Sequence, residues 1–461
     1  MKHVAFANRL VMVGFGSIGQ GVLPLLFRHL DMAPDQVTIV TAEERGQAVA
    51  AAYDVRFIQQ PLTRENYAAV LEPWRGPGDF LLNLSVDVAS VALIELAQRR
   101  GALYLDTCIE PWAGGYTDPT LSLSGRSNYA LREAALALRA RFQGGPTAVL
   151  THGANPGLVS HFVKQALPDI ARDTGHAALP PDGRAAWARL ARDLDVRVIH
   201  IAERDTQSAS IAKRRGEFVN TWSVDGFVGE GMQPAELGWG THERHWPIDA
   251  RHHDFGCGAA IYLERPGAGT RVRSWTPLEG PYHGFLVTHN ESISIADYLT
   301  LKDGAKTAYR PTVHYAYHPC DDAVLSLHEI AGRHCSVQPY KRLMLDEIGV
   351  LLMGHAKGAY WFGSRLSIEE ARRLVPYNNA TSLQVTASVL AGIVWAIENP
   401  RHGLVEADEM AHDRIMAITR PYLGEVVGVH SDWTPLYARG KFFPETVDRG
   451  DPWQFSNFRV T

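Results

Sequence analysis

Three glycines near the start of the chain, and a set of carboxylates around one tryptophan, have types and spacing that suggest chemistry. An apolar run, Leu10-Val11-Met12-Val13, stops at Gly14, and Gly16 and Gly19 follow at the spacing G-x-G-x-x-G. At such a junction the first glycine permits a tight turn out of a strand. The second lets a pyrophosphate approach the backbone, and the third lets the next helix pack closely on a sheet. The first N–H groups of that helix, from Ser17, Ile18 and Gly19, would then face the phosphates. A tight turn with no ligand is the bland alternative. The strand-like run before the motif and the helix-like run after it favour a dinucleotide site.

Polar residues recur where other strand-like runs end. Asn83-Leu84-Ser85 and Asp87 follow one run, Asp106, Thr107 and Glu110 another, and His152-Gly153-Ala154-Asn155-Pro156-Gly157 a third. Singly, each could be an ordinary helix cap. Together, at successive strand ends of one parallel sheet, they mark the rim where ligands bind in such folds. Pro156 suits the first position of a helix. Thr41 ends the second strand-like run, where an Asp or Glu commonly holds the ribose hydroxyls; Glu43, Glu44 and Arg45 lie just beyond it. No arginine replaces the acid at that position, which favours NAD over NADP.

Farther along, Glu203, Asp205, Trp222, Asp225 and Glu230 combine acids with an aromatic plane. That combination suits an alkylammonium ion, because carboxylates neutralise it and a ring face attracts it. The competing reading is a core tryptophan and solvated surface acids. His289, with Asn290 and Glu291, ends another strand-like run, and its ordinary pKa near neutrality would suit a general base. The run HYAYHPCDD (His314 to Asp322) and the pair His328-Glu329 match no zinc spacing, so a buried histidine network or a packed aromatic loop is expected there, and no metal.

The elements that must position these residues follow from pattern. Strands are expected at Leu10–Val13, Val37–Val40, Tyr53–Ile58, Phe80–Ser85, Leu103–Asp106 and Ala148–Thr151. They are apolar rather than alternating and are separated by helical runs. That implies a Rossmann-type, doubly wound parallel sheet over residues 1–153. Pro24 should kink the first helix or delay its start. Residues 154–375 change character, with frequent Trp, Tyr, His and Gly, and read as a second α+β domain for substrate and dimerisation. The segment 376–461 is expected to pack back on the first domain, with a helix over Ser382–Glu398 stopped by Asn399-Pro400. The run Pro180–Ala186 reads as a loop insertion. The 461 residues are 46% hydrophobic and 21% charged, with a net charge of −5, so nothing favours nucleic acid or an anionic membrane. No signal peptide or bilayer-spanning run is apparent, and four dispersed cysteines without a C-x-x-C pair fit a reducing cytoplasm.

Taken together, VGFGSIGQGVLPLL, NLSVDVASV, GALYLDTCIEPW, GANPGLVSHFVKQAL, HIAERDTQ, NTWSVDGFVGEGMQPAELGWGT, FLVTHNESISIADYL and YRPTVHYAYHPCDDAVLSLHE resemble the bacterial homospermidine synthase family, almost end to end. That family lies within a wider saccharopine dehydrogenase-like group. The resemblance implies a homodimeric transferase that holds NAD as a prosthetic group. Two putrescines would yield homospermidine and ammonia, and spermidine could replace one putrescine with release of diaminopropane. The implied course is hydride removal to give an imine, attack by a second amine, loss of ammonia, and return of the hydride. The resemblance also implies residue roles. Glu203 and Glu230 would hold the diamine ends, and Trp222 would face the developing iminium. Asp87 and Glu110 would line the inner end of the pocket, and Asn155 and His289 would orient the amines. Two alternatives stay open: a reductase of the same group acting on a carboxylated imine, for which Arg204 or Arg126 could serve as a clamp, and a nucleotide-binding sensor without turnover.

Overall fold

The computed structural model describes residues 2–460 apart from 75, 177–180, 209–211, 334–337, 342–344 and 442. The chain forms two compact units, each assembled from three separate stretches of sequence: 1–118, 130–158 and 367–424 in the first, and 119–129, 159–366 and 425–461 in the second.

The first unit is built on a seven-stranded parallel sheet. Its order across the sheet is Leu404–Glu406, Ala148–Leu150, Leu103–Asp106, Phe80–Asn83, Leu10–Val13, Val37–Thr41 and Arg56–Gln59. The strand order reverses at Leu10–Val13, which puts the glycine motif at the switch point of a doubly wound sheet. Its central strands are buried along their whole length, as an apolar parallel sheet covered on both faces requires. The helix Ser17–His29 starts directly after Gly16 and continues through Pro24, so it does not start late. The third expected strand is shorter than its apolar run and covers Arg56–Gln59.

The helix Ala380–Glu398 begins two residues earlier than expected, at an Asn379 cap that accepts from Ser382 N and is answered by the Ser382 hydroxyl. Among the described residues it is the one helix long and apolar enough to cross a membrane, and nearly all of it is buried. It packs against Ser17–His29 and the strand Leu103–Asp106. The approach is close enough that a side chain at Gly392 would run into Leu105 at 2.5 Å. The sheet edge Leu404–Glu406, far away in sequence, is locked by Glu406, which takes a two-pronged ion pair from the buried Arg132 at 2.7 Å on each prong.

The second unit centres on a mixed ten-stranded sheet. Its main path runs Ala250–His252, Ala260–Pro266, Pro234–Gly238, Thr312–His318, Val198–Asp205, Leu345–Met353, Ala359–Ser367 and Glu425–Ser431, and the hairpin Arg271–Thr276/Gly280–Phe285 joins it beside Thr312–His318. This is an α+β arrangement, with the helices Leu158–Asp173 and Asn290–Tyr298 in the same unit.

Two boundaries differ from those expected. The strand Glu425–Ser431 pairs antiparallel with Ala359–Ser367, and Trp433, Trp453 and Phe458 complete an apolar cluster with Trp361. The last residues therefore belong to the second unit, and the returning segment of the first is 367–424. The insertion expected at Pro180–Ala186 is short, because the helix Arg184–Asp193 starts inside it, pinned by Trp187 and Leu190; Pro180 lies outside the described residues.

Candidate active site

On the first unit, backbone geometry builds a phosphate cradle. Gly14 has φ +86°, and a Cβ there would strike the Leu84 carbonyl and the Ser85 amide at 2.7 Å, so a side chain is excluded twice over. Gly16 is the N-cap of Ser17–His29, without a side-chain cap and with no acid in the first turn; a Cβ at Gly16 would meet nothing within 4 Å. Space and uncapped N–H groups of Ser17, Ile18 and Gly19 thus coincide at the positive end of a 13-residue helix. These residues fit the pyrophosphate of a dinucleotide.

At the adjoining strand ends, Asn83 is buried, and its Oδ1 accepts from the Ser85 hydroxyl at 2.6 Å, fixing the Leu84–Ser85 turn. Thr41 is buried at the end of its strand, whereas Arg45 lies out in solvent beside Glu43 at 3.6 Å. An exposed arginine paired with an acid is a poor receiver for a 2′-phosphate, which keeps the preference for NAD.

A buried network joins these strand ends. The Tyr104 hydroxyl donates to Asp106 Oδ2 at 2.8 Å, Asn83 Nδ2 donates to Tyr104 at 3.3 Å, and Asp106 Oδ1 accepts the Thr151 amide at 2.6 Å. Burial pushes the Asp106 carboxyl up to about 7. Thr107, Ala154 and Asn155 lie in the loops that this network anchors. Pro156 stands ahead of the helix Leu158–Asp173 rather than in its first turn, because Gly157, at φ +123°, first folds the chain back so that Gly153 N reaches Pro156 O. Asp87 and Glu110 come together: the Asp87 amide donates to Glu110 Oε2 at 3.4 Å, with Glu110 buried and Asp87 exposed.

On the second unit, the acids and the tryptophan form one connected cluster. The parallel pair Val198–Asp205 and Thr312–His318 sets Tyr317 opposite Glu203. Tyr315 and Tyr317 stand two residues apart on one face of their strand, with rings stacked at 5.1 Å. The Tyr315 hydroxyl donates to the buried carboxylate of Glu203, and Trp222 Nε1 donates to the Tyr317 hydroxyl at 3.0 Å. Burial, with Glu203 nearby, pushes both phenols well above their ordinary range, so they act as neutral hydrogen-bonding groups.

Trp222 enters the helix Val224–Met232, which is capped by the Ser223 hydroxyl. Phe227 on that helix is fully buried against Trp222 and Tyr317 at 5.5 and 5.7 Å, and it brings Glu230, three residues on, to the same side. There Glu230 Oε2 lies 3.0 Å from His289 Nε2, and Glu291 Oε1 lies 3.2 Å from His289 Nδ1. The imidazole also leans on the Tyr315 ring at 4.5 Å. Burial alone would depress the histidine; the carboxylates of Glu291 and Glu230 outweigh it and hold the imidazolium well above the usual range.

The structure therefore brings Glu203, Trp222, Glu230 and His289 together within one unit. Two residues read from sequence do something else. Asp205 accepts from the Thr221 hydroxyl at 2.6 Å and the Gln207 amide at 2.8 Å, so it anchors the loop carrying Trp222; burial pushes it up to about 6. Arg204, the candidate clamp for a carboxylated substrate, is spent on Glu279 and Asp321 at 3.3 and 3.2 Å. The side chain of Asp225 lies outside the described residues. Sequence reasoning missed the roles of Tyr315, Tyr317 and Glu291. The alternation H-Y-A-Y-H held a signal for the first two: one face carries the tyrosines, and the other carries His314, which is buried with its ring tilted against that of buried His200 at 4.0 Å. Among the described residues, no group of three or more His, Cys, Asp or Glu side chains is placed to hold a metal ion.

Comparisons with known proteins bear on the family. Residues 10–149 match the model of the saccharopine dehydrogenase NADP binding domain, and residues 153–430 match that of the saccharopine dehydrogenase C-terminal domain. The chain is 57% identical to a homospermidine synthase of Blastochloris viridis, covering 98% of this chain and 97% of that one. It is 50% identical to a homospermidine synthase of Mesorhizobium japonicum, covering 98% and 96%. Among solved structures, homospermidine synthase of Legionella pneumophila in complex with NAD superposes with a TM-score of 0.92 at 50% identity, covering 99% of this chain and 98% of that one. A saccharopine dehydrogenase of Saccharomyces cerevisiae, at 11% identity and a TM-score of 0.51, shares the fold alone. With its glycine cradle on a doubly wound sheet and its acid–aromatic cluster on a mixed one, the chain belongs to the homospermidine synthase family.

Proposed function

We propose that this protein is an NAD-dependent homospermidine synthase that joins two putrescines with loss of ammonia, and that accepts spermidine as an alternative aminobutyl donor. The observation that carries the reading is the cluster of Glu203, Glu230 and Glu291 around Trp222, Tyr315, Tyr317 and His289. A diamine brings ammonium groups that are costly to bury unless carboxylates meet them. The full-length likeness to synthases named for this product, one solved with NAD, supports the same chemistry.

Bound NAD would supply a hydride acceptor that gives back what it takes, so the net reaction is an alkyl transfer without net oxidation. The chain's residues do the rest. The backbone at Gly14, Gly16, Ser17, Ile18 and Gly19, with Thr41, Asn83, Leu84, Ser85, Thr107, Ala154 and Asn155, holds the dinucleotide. Asp87, Glu110 and Asn155, which the resemblance assigns to the diamine, stand at strand ends of the first unit. Glu203 and Glu230 take its ammonium groups, and the neutral Tyr315 donor keeps the Glu203 carboxylate aimed. The Trp222 ring face stabilises positive charge on the reacting carbon–nitrogen unit, worth roughly 2 kcal/mol when water is excluded. The resemblance supports a homodimer as the working form, and the three cysteines described, none of them in a disulfide, suit a reducing cytoplasm.

Incubation with NAD and putrescine tests the reading. Homospermidine and ammonia should form in equal amounts without accumulation of NADH. A protein that binds NAD but converts no diamine, or one that consumes NADH stoichiometrically, overturns it. The ion pairs of Arg204 remove one of the two candidate clamps, Arg204 and Arg126, on which the reductase alternative rested.

A further inference from the structure

His289 already occupies the place of a cation in this site. Its Nε2 lies on Glu230 and its Nδ1 on Glu291, while the Tyr315 ring, whose hydroxyl donates to Glu203, packs against it at 4.5 Å. The charged and titratable groups facing the imidazole thus come from three elements: Glu230 from the helix Val224–Met232, Glu291 from its own helix Asn290–Tyr298, and Tyr315 from the strand Thr312–His318, with Glu203 of Val198–Asp205 one hydrogen bond farther off, on the Tyr315 hydroxyl. Glu291 is fully buried at the first turn of its helix, so it has little freedom to turn away.

Resting on the synthase reading, we propose that the His289 imidazolium is a resident counter-cation: a substrate ammonium docking on Glu230 expels the His289 proton to solvent and leaves Nε2 as a lone-pair acceptor beside the bound amine. The balance is simple. Protonated His289 and free ammonium become neutral His289, bound ammonium and one proton in water, with no redox change. Two cations sharing one partly buried carboxylate repel each other, and the ordinary pKa values decide which yields. Imidazolium loses its proton near 6.5 and an alkylammonium near 10.4, so the histidine is the cheaper donor by about four units. The Glu291 contact then keeps the remaining proton on Nδ1, which fixes the tautomer with Nε2 free. An amine must shed a proton before it attacks, and this arrangement delivers a base only after a diamine has arrived. The raised pKa of His289 agrees with the resident form.

Steady-state kinetics of the NAD-loaded protein with putrescine, from pH 6.5 to 9, test the idea. In the wild type, KM should fall with rising pH, by up to about tenfold per unit, until the imidazolium is lost. His289→Gln removes the competing cation and the base together. Its KM at pH 7 should drop several-fold and become flat in pH, while kcat falls at least tenfold. Glu291→Gln should shift the KM transition to lower pH. Homospermidine formed with a pH-independent wild-type KM, or with KM raised in His289→Gln, overturns the exchange and leaves the synthase reading standing. Failure to form homospermidine at all overturns both.

Discussion

Trp222 shows how much a single side chain is asked to do. Its indole N–H is spent on Tyr317 and its edge on Phe227, so the ring is held from two directions and its orientation is set before any ligand binds. Trp222→Ala should therefore cut kcat/KM for putrescine by about thirtyfold or more, the equivalent of roughly 2 kcal/mol of cation–π stabilisation, while NAD affinity stays unchanged. Trp222→Phe should recover part of the loss, since a smaller ring face remains. Near-normal turnover in the alanine variant would remove the ring from the mechanism. Tyr315→Phe tests a different link. It strips the buried Glu203 carboxylate of a hydroxyl donor, and leaving a buried charge short of a partner costs about 1–3 kcal/mol. Putrescine KM should rise about tenfold or more with kcat less affected; an unchanged KM would mean that Glu203 does not meet the substrate.

Secondary-structure elements explain both what could be read from the sequence and what could not. The strand Leu10–Val13 and the helix Ser17–His29 were legible because a continuous apolar run, three spaced glycines and an amphipathic helix all point the same way locally. Pro24 misled on the start of the helix: it is the eighth of thirteen residues, well inside the helix, and it is buried in the packed face. Leu404–Glu406 was illegible: three residues carry no period, and their strand identity comes from Ala148–Leu150 and Arg132, more than 250 positions away. The same divide runs through the site. Acids flanking Trp222 were visible as composition. The Glu230–His289–Glu291 bridge was not, since it forms only when two helices from distant segments meet.

Two glycines of the first turn should separate folding from binding. Gly14→Ala must force a Cβ into the Leu84 carbonyl at positive φ, so it should lower Tm and abolish NAD binding together. Gly16→Asp meets open space, so the fold should survive while the carboxylate repels the pyrophosphate, costing NAD affinity at least a hundredfold with Tm of the free protein unchanged. Equal NAD affinity in Gly16→Asp would place the phosphates elsewhere. Asp106 ties three strand ends together and gives a pH signature. Its folded pKa of about 7 exceeds the ordinary 3.8, so the fold holds a proton that the unfolded chain releases. Stability is therefore greatest below about pH 4 as far as this group is concerned, and is lost as pH rises through 7. Asp106→Asn removes that loss. Its Tm relative to wild type should climb between pH 4 and 7 and then level off, with an upper bound of about 4 kcal/mol for three pKa units. A pH-independent difference would show that Asp106 ionises normally.

At the scale of the whole molecule, the chain leaves and re-enters each unit, and this decides what can fold alone. The dinucleotide motif suggests a self-sufficient domain over roughly the first 150 residues, the span that the NADP-binding-domain model also matches. The structure argues otherwise. Residues 367–424 supply the edge strand Leu404–Glu406 and the helix Ala380–Glu398, whose buried residues include Leu383, Ala387, Leu390, Ile393 and Val394. Without that helix, one side of Ser17–His29 and part of the strand Leu103–Asp106 would face water, and Arg132 would lose its two-pronged Glu406 partner and keep only Glu133 beside it. Each buried leucine or isoleucine so exposed costs about 1.5–3 kcal/mol, and several together exceed the 5–15 kcal/mol that stabilises a typical domain. A fragment of residues 1–158 should accordingly aggregate or remain unfolded and fail to bind NAD. A fragment in which residues 367–424 are joined to its end by a flexible linker should unfold cooperatively on heating, with a midpoint that rises on adding NAD, by about 4 kcal/mol of linkage at a thousandfold excess over Kd. A monomeric, cooperatively melting 1–158 that binds NAD would show that the returning segment merely decorates a domain that is complete without it.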